Sequence, residues 1–339
     1  MFPQLIEKLT RRRDLTESEA AAAMAEIMEG RATPAQMSGF LIALSMKGER
    51  PAEMIGLART MRANAVRLSK TYDDTFDTCG TGGDGCSTVN VSSLAALVVA
   101  ACGVRVAKHG NRSVSSKCGS ADLFEALGVD VTVSPTAVER CLVDVGIAFF
   151  FAPTFHPSMR HVGPTRRELG VRTAFNLLGP LTNPAGARRQ LVGVPRPEHT
   201  DLVARTLARL GSERAWVVHG ADGVDEISTT GHTKVSECRS GHVRSFYVHP
   251  SDFGITPGTL DKLRVDGSDQ SVSSARYVLA GERGPARDIV VINAAAALLV
   301  AEFARSPREA AALAEAALDE GRASATLDKL ARCSRGEPA

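Results

Sequence analysis

Four polar stretches of the 339-residue sequence hold side chains whose types and spacing could do chemistry. The first, CGTGGDGCSTVNVSS from Cys79 to Ser93, sets Gly80, Gly82, Gly83 and Gly85 around Asp84 and runs through Thr88, Asn90, Val91, Ser92 and Ser93 into an apolar segment. Glycines admit positive φ and let backbone N–H groups approach an anion, and a helix opening near Ser92 would add the partial positive charge of its N-terminus. That is phosphate chemistry. No lysine follows as in GxxxxGK[ST], and Asp84 breaks a GxGxxG pattern, so neither an ordinary P-loop nor a dinucleotide site is indicated. Taken alone, the cluster is equally a tight turn that packs strand on helix.

The second stretch, KHGNRSVSSKCGSAD from Lys108 to Asp122, offers Lys108, Arg112 and Lys117 as cations and Ser113, Ser115, Ser116 and Ser120 as hydroxyl donors. His109 and Asn111 could orient a polar substrate. The plain alternative is a solvated basic loop with a serine capping the next helix. The third, HGADGVDEIS from His219 to Ser228, carries the adjacent carboxylates Asp225 and Glu226, oxygen ligands that suit Mg²⁺ bound jointly with substrate phosphates. By itself it is also a solvated Asp-Gly turn. The fourth runs from Phe151 to Pro184 and spaces His156, Arg160, Arg166 and Arg172 along what reads as helix. Arginine can grip a carboxylate through two parallel hydrogen bonds, and an apolar flank beside it would suit an aromatic acid, although any single arginine here could equally be a surface ion pair.

These residues need elements to hold them. From residue 3 to about 66 the pattern is helical, with Thr16 and Glu19 as a capping box and Pro34 and Pro51 at first helical turns. Leu68–Asp77 reads as a linker. Beyond it, strand candidates at Thr75–Thr78, Val104–Ala107, Val129–Val133, Ile147–Phe151, Gln190–Val194 and Ala215–His219 alternate with helix candidates at Ser92–Cys102, Ala121–Leu127, Pro135–Val145 and Glu198–Leu210. Alternation of this kind predicts an α/β fold: a mostly parallel central sheet flanked by helices, with a smaller all-helical N-terminal domain. The expected division is 1–70 for the helical domain, joined by helices from 153–185, and 71–339 for the α/β domain. The glycine loop and the Lys108 loop then lie at the carboxyl ends of adjacent strands, where open α/β sheets bind ligands.

Composition narrows the field. Lys+Arg 40 against Asp+Glu 38 leaves a net charge of +2, so no global field recruits nucleic acid or an anionic membrane, and any anion site must be local. Seven cysteines without CxxC pairs point to a reduced, cytoplasmic chain. The N-terminal basic cluster follows its apolar residues, the wrong order for a secretory signal, and the apolar run Ile289–Phe303 is broken by Asn293 and Glu302 and falls short of the roughly 20 residues of a membrane span.

In order and spacing, CGTGGDG–STVNVSS, KHGNRSVSS–GSAD–EALG, H–MR–VGPTRRELGVRTAFNLLGPLTNPA and DGVDE resemble the anthranilate phosphoribosyltransferase family, and the likeness extends over about the whole chain. The resemblance implies transfer of a phosphoribosyl group from phosphoribosyl pyrophosphate to the amine of anthranilate, and a homodimer joined through the helical domain. It also implies roles by position. Gly80, Gly83, Asp84, Thr88, Asn90, Val91, Ser92 and Ser93 would contact phosphoribosyl pyrophosphate, together with Lys108, His109, Gly110, Asn111, Arg112, Ser113, Val114, Ser115, Ser116 and Ser120. Ser92, Asp225 and Glu226 would hold Mg²⁺. Anthranilate would meet Gly80, Asn111 and Arg166, with His109 and His156 nearby; Lys108 and His109 are the candidates for any catalytic role. The sequence departs from the family's usual residues at Ser93 and Phe124, and it places Cys86 inside the phosphate loop. The rivals are a pyrimidine nucleoside phosphorylase, which would use phosphate, and a non-catalytic nucleic-acid-binding relative, which would need a strongly basic surface.

Overall fold

Capped helices open the chain. The computed structural model describes residues 1–113 and 118–338, and begins with α1 (Phe2–Thr10), α2 (Glu17–Met28), α3 (Pro34–Lys47) and α4 (Pro51–Ala63). Thr16 accepts from the Glu19 amide and Thr33 from the Gln36 amide, while Glu19 and Gln36 reach back to the cap amides, so both starts are closed reciprocally. The linker runs as coil to Thr75 and is tied down by Glu139, which accepts from the Ser69 amide and hydroxyl and the Tyr72 hydroxyl.

Strands and helices then alternate as β1 (Phe76–Gly80), α5 (Val91–Ala101), β2 (Val106–Gly110), α6 (Ser120–Ala126), α7 (Pro135–Asp144) and β3 (Ile147–Phe151). The short helices α8 (Ala152–Phe155), α9 (Gly163–Leu169) and α10 (Ala174–Leu181) follow, then β4 (Arg189–Gly193), α11 (Pro197–Arg209), β5 (Arg214–Gly220), β6 (Thr233–Arg239) and β7 (His242–Val248). The chain closes with α12 (Ser268–Leu279), α13 (Pro285–Val300), α14 (Pro307–Asp319) and α15 (Arg322–Ser334). The sheet order is β3-β2-β1-β4-β5-β6-β7, parallel from β3 to β5 and antiparallel at β6 and β7.

The two faces of the sheet alternate, as a strand's period of two requires. Leu191, Trp216 and Val218 pack with α5, α13 and the C-terminal helices, whereas Val192, Ala215 and Val217 pack with α1 to α4, α10 and α11. Helix α13, buried nearly all round, lies against α5 beneath the sheet. Helices α9 and α10 sit against α3 and α4, so the part of the chain from 163 to 181 joins the N-terminal helices in space.

Three expectations change. Val129–Val133 is a turn and not a strand: β3 takes the place beside β2, and the Asp130 amide is capped by Ser334 while Asp130 accepts from the Thr132 amide. The stretch holding His156, Arg160, Arg166 and Arg172 is broken into α8, a 3₁₀ turn at Pro157–His161, α9 and α10, with Pro157, Pro164 and the left-handed Gly170 as breakpoints. The β6–β7 hairpin was not foreseen. Its turn places Ser240 and Gly241 at φ 48° and 82°, the two successive positive values of a type I′ connection.

Candidate active site at the switch of strand order

β1 is followed to one side by β2 and β3, and to the other by β4 and β5, so strand order reverses between β1 and β4. The crevice outside their carboxyl ends is where open sheets of this type take ligands. Three of the polar stretches meet there. The glycine loop leaves β1, the Lys108 loop leaves β2, and the acidic loop leaves β5.

The glycine loop is shaped by three left-handed glycines, Gly82 (φ 64°), Gly83 (φ 81°) and Gly85 (φ 73°), and by Ser87 at φ 51°, and its glycines are open to solvent. It is anchored at both ends. The Thr81 amide donates to Gly193 O at the end of β4 (2.9 Å), and the Thr78 hydroxyl donates to Ser92 O (2.8 Å). Thr88 pairs with Arg264 in an isolated bridge, and Asn90 donates to Cys118 O while accepting from the Ser271 hydroxyl, so that side chain braces the wall of the cleft. Val91 and Ser93 are buried at the start of α5, and Ser93 Oγ has no hydrogen-bond partner among the described residues. Cys86 lies half-buried beside Asp84; burial first, then that carboxylate, pushes its thiol up to about 11, so it stays protonated and poorly nucleophilic.

The acidic loop closes on the glycine loop from the far side. Gly82 donates its amide to Asp225 Oδ2 (3.0 Å), and a Cβ at Gly80 would come within 2.7 Å of the same oxygen. A Cβ at Gly193 would overlap the Asp225 carbonyl, so this approach requires glycine there. From below, Asn293 of α13 accepts from the Ile227 amide (2.9 Å) and donates to the Ile227 carbonyl (2.9 Å), fixing the peptide next to Glu226. Asp222 accepts from Ser228 and Thr230 to hold the turn.

Burial, and then the charge of Asp84, raises Asp225 to about 7. Glu226 is raised well above its ordinary range by burial and by Asp225, while Lys108 and the Ser92 amide oppose that shift. A crowd of carboxylates with raised proton affinity, next to an anion cradle, is what a shared divalent cation would relieve. Among the described residues no three acidic, histidine or cysteine side chains form a ready-made cage. The donor set therefore fits Mg²⁺, which keeps several waters and binds through one or two carboxylates plus substrate phosphates.

In the Lys108 loop, buried Lys108 reaches only His109 O (3.4 Å) among the described residues, with Asp77 and Glu226 as the opposing charges nearby. Asp77, fully buried in β1, accepts from the His109 amide (3.2 Å) and from Asn183 Nδ2 (2.8 Å), and Asn183 also donates to Ala107 O (2.8 Å). His109 Nδ1 meets Gly179 O at 3.1 Å, which makes Nδ1 the protonated nitrogen and leaves Nε2, buried and without a partner among the described residues, unprotonated. The His109 and His156 rings lie 5.4 Å apart; burial, joined at His109 by the neighbouring imidazole, lowers them to about 3 and about 4. A Cβ at Gly110 would press on Ser120 Oγ and on the Phe149 ring. Asn111 exchanges backbone bonds with Ser120 Oγ, and its side chain accepts from the Arg112 amide. The Arg112 guanidinium turns away to Asp122 and Glu125, and Ser113 N donates to Asp122. Val114, Ser115, Ser116 and Lys117 lie outside the described residues.

Arg166, on α9, stacks over Phe175 with 5.2 Å from Cζ to the ring centroid and no acidic partner among the described residues. Burial lowers its proton affinity, and a guanidinium remains charged in proteins. It offers a desolvated cation beside an aromatic face. Arg172 belongs to a different place: its guanidinium lies on the glycine loop. The support residues Asp77, Asn183, Gly193 and Asn293 escaped sequence reasoning. A buried-strand Asp and an Asn inside an apolar helix were the signals that could have found two of them.

A helical bundle, a doubly layered sheet and an anion cradle opposed by acids define a class of glycosyl transferase. Residues 3–65 match the helical bundle domain of the glycosyl transferase family and residues 72–324 its a/b domain. The chain is 53% identical over 330 residues to anthranilate phosphoribosyltransferase of Moorella thermoacetica, covering 97% of each, and 49% identical to that of Acetivibrio thermocellus, covering 97% of this chain and 95% of the relative. Its fold matches the crystal structure of the Thermus thermophilus enzyme of that name with TM-score 0.91 and 43% identity, covering 98% of this chain and 99% of the other. The Saccharomyces cerevisiae enzyme in complex with phosphoribosyl pyrophosphate and Mg matches with TM-score 0.89 and 26% identity, covering 99% and 98%. The chain belongs to the anthranilate phosphoribosyltransferase family.

Proposed function

We propose that this chain transfers the phosphoribosyl group of phosphoribosyl pyrophosphate to the amine of anthranilate, releasing pyrophosphate, as a step of tryptophan biosynthesis. The observation that carries this reading is the meeting of the glycine loop and the acidic loop at the switch point, with Gly82 N–H on Asp225. Pyrophosphate and ribose phosphate are held along Gly80 to Ser93 and along Lys108 to Ser120, by open amides, hydroxyls and the buried Lys108. Ser92, Asp225 and Glu226 hold Mg²⁺, which supplies charge neutralisation of the departing pyrophosphate. Backbone N–H groups of the glycine loop and Lys108 stabilise the same growing charge.

Anthranilate is oriented by Arg166, which grips its carboxylate, and by Asn111 and Gly80, with His109 and His156 against the ring. With its proton affinity so depressed, His109 stays neutral and does not act as a strong base. The aryl amine is already uncharged at neutral pH, so positioning of the two substrates supplies much of the rate.

The domain division that accords with these contacts is 1–70 with helices from 153–185 against 71–339. Placement in the cytoplasm and a homodimer joined through the helical domain complete the proposal; no helix among the described residues is long and apolar enough to cross a membrane, and light scattering should give the mass of two chains. The activity is tested by pyrophosphate release. Release that needs anthranilate, phosphoribosyl pyrophosphate and Mg²⁺ together supports it, whereas phosphate-dependent cleavage of a pyrimidine nucleoside would assign the chain to the phosphorylases.

A further inference from the structure

Arg172 stands between α9 and α10, immediately before the cap of a helix that packs on α4, yet its side chain crosses to the other wall of the cleft. There Nη2 donates to Thr81 O (3.3 Å) and, closer, to Gly82 O. The guanidinium lies so near Gly83 that any Cβ would overlap it. Among the described residues Arg172 has no ion pair; its charged neighbours are Asp84 and Asp225 on the loops it faces and Arg196 after β4. Two carbonyls bound by one group fix the orientation of consecutive peptides: the Thr81–Gly82 peptide then points its amide at Asp225, and the Gly82–Gly83 peptide turns the Gly83 amide the opposite way from Arg172. Three left-handed glycines would otherwise let those peptides rotate freely.

We propose that Arg172 is a positioning residue that clamps the Thr81 and Gly82 carbonyls and so holds the Gly83 amide, and the loop that follows it, ready for the pyrophosphate of phosphoribosyl pyrophosphate. The identity of that ligand rests on the proposed function; the clamp itself does not. Standing next to α10, it also ties the helical layer to the phosphate loop by hydrogen bonds, beside the apolar packing of Cys79 against α10.

The test uses the full chain with Arg172→Met and Arg172→Lys. In the ligand-free protein, amide hydrogen exchange in residues 82–86 should quicken about tenfold in the Met variant, the loss of roughly one charge-assisted hydrogen bond, with exchange in β1 and α5 unchanged. Calorimetric Kd for phosphoribosyl pyrophosphate with Mg²⁺ should rise about tenfold or more, while the anthranilate KM stays within about twofold. Lysine, whose ammonium can take the place of the one nitrogen, Nη2, that makes both bonds but lacks the planar guanidinium that fixes its direction, should recover part of both losses, and this intermediate effect remains readable where the Met variant does not fold. Unchanged loop exchange and a Kd within about twofold of wild type would overturn the clamp, as would parallel weakening of both substrates together with a lowered melting temperature. A wild-type protein that fails to bind phosphoribosyl pyrophosphate would sink the proposed function, and loop exchange would still judge Arg172.

Discussion

Arg166 and Arg172 lie six positions apart and do different work because their surroundings differ. Arg166 lies on an aromatic face with no carboxylate among the described residues paired to it, which is why the proposed function gives it the carboxylate of anthranilate. Arg166→Ala should raise the anthranilate KM about tenfold to a hundredfold, the worth of a charge-assisted pair, and leave phosphoribosyl pyrophosphate KM nearly unchanged. Equal loss of both would place Arg166 elsewhere. The acidic pair carries the opposite strain. Asp225, raised to about 7, is more easily protonated in the folded than in the unfolded chain, so its buried charge costs stability above pH 7, and the cost is relieved as pH falls toward its ordinary 3.8. Asp225→Asn with Glu226→Gln should therefore raise the metal-free melting temperature at pH 8 by a few degrees, roughly what one or two kcal/mol does in a chain of this size, with the gain fading by pH 4, and should lower both rate and Mg²⁺ dependence. Unchanged metal dependence would remove these residues from the metal site. The histidines run the other way. Lowered to about 3 and about 4, His109 and His156 stay neutral in the fold, so their contribution is complete above the ordinary 6.5 and is lost as pH falls from there toward 4. His156→Gln should show a smaller drop in melting temperature between pH 6.5 and 4.5 than wild type; an equal drop would assign the acid sensitivity to other groups.

Among the elements, α13 has the least obvious task. An apolar helix against α5 requires no asparagine, yet Asn293 spends its amide on both sides of the Ile227 peptide, one residue from Glu226. Asn293→Ala should cost about 1–3 kcal/mol, the penalty of leaving that buried peptide unpaired, and should weaken Mg²⁺-dependent turnover as well. Loss of stability without change in metal response would make Asn293 structural only. In the sequence, Asn293 was visible merely as an interruption of an apolar run. The glycine loop was more legible, since its cluster, the strand before it and the helix after it all point to one backbone shape. The β6–β7 hairpin was hidden because Glu237 sits in a strand between Trp216, Arg214 and Arg244, and a fully buried carboxylate breaks the alternation by which strands are read. Val129–Val133 erred in the reverse sense: its alternation is real, but a sheet position beside β2 was already taken by β3.

For the whole molecule, the sheet's reversal of strand order is what turns scattered motifs into one cleft. The sequence supports the alternation and the parallel strands, but it carries no signal for which strand lies beside which, so the pairing of β1 with β4, and with it the approach of Gly193 to Asp225, could be known only from the fold. Anion cradle and acidic pair stand on the α/β side of that cleft, His156 reaches His109 from the segment joined to the helical layer, and Arg166 lies on the same segment over Phe175. In the proposed reading the phosphoribosyl donor is held by the α/β side and the anthranilate carboxylate by Arg166 of the helical layer, with Arg172 spanning the two. The central claim is that the layers bring a phosphoribosyl donor and an aromatic amine together. It is tested most directly by anthranilate fluorescence, followed with phosphoribosyl pyrophosphate and Mg²⁺ present. The predicted result is a decay in the complete mixture that stops when either phosphoribosyl pyrophosphate or Mg²⁺ is withheld; constant fluorescence in the complete mixture would contradict the account.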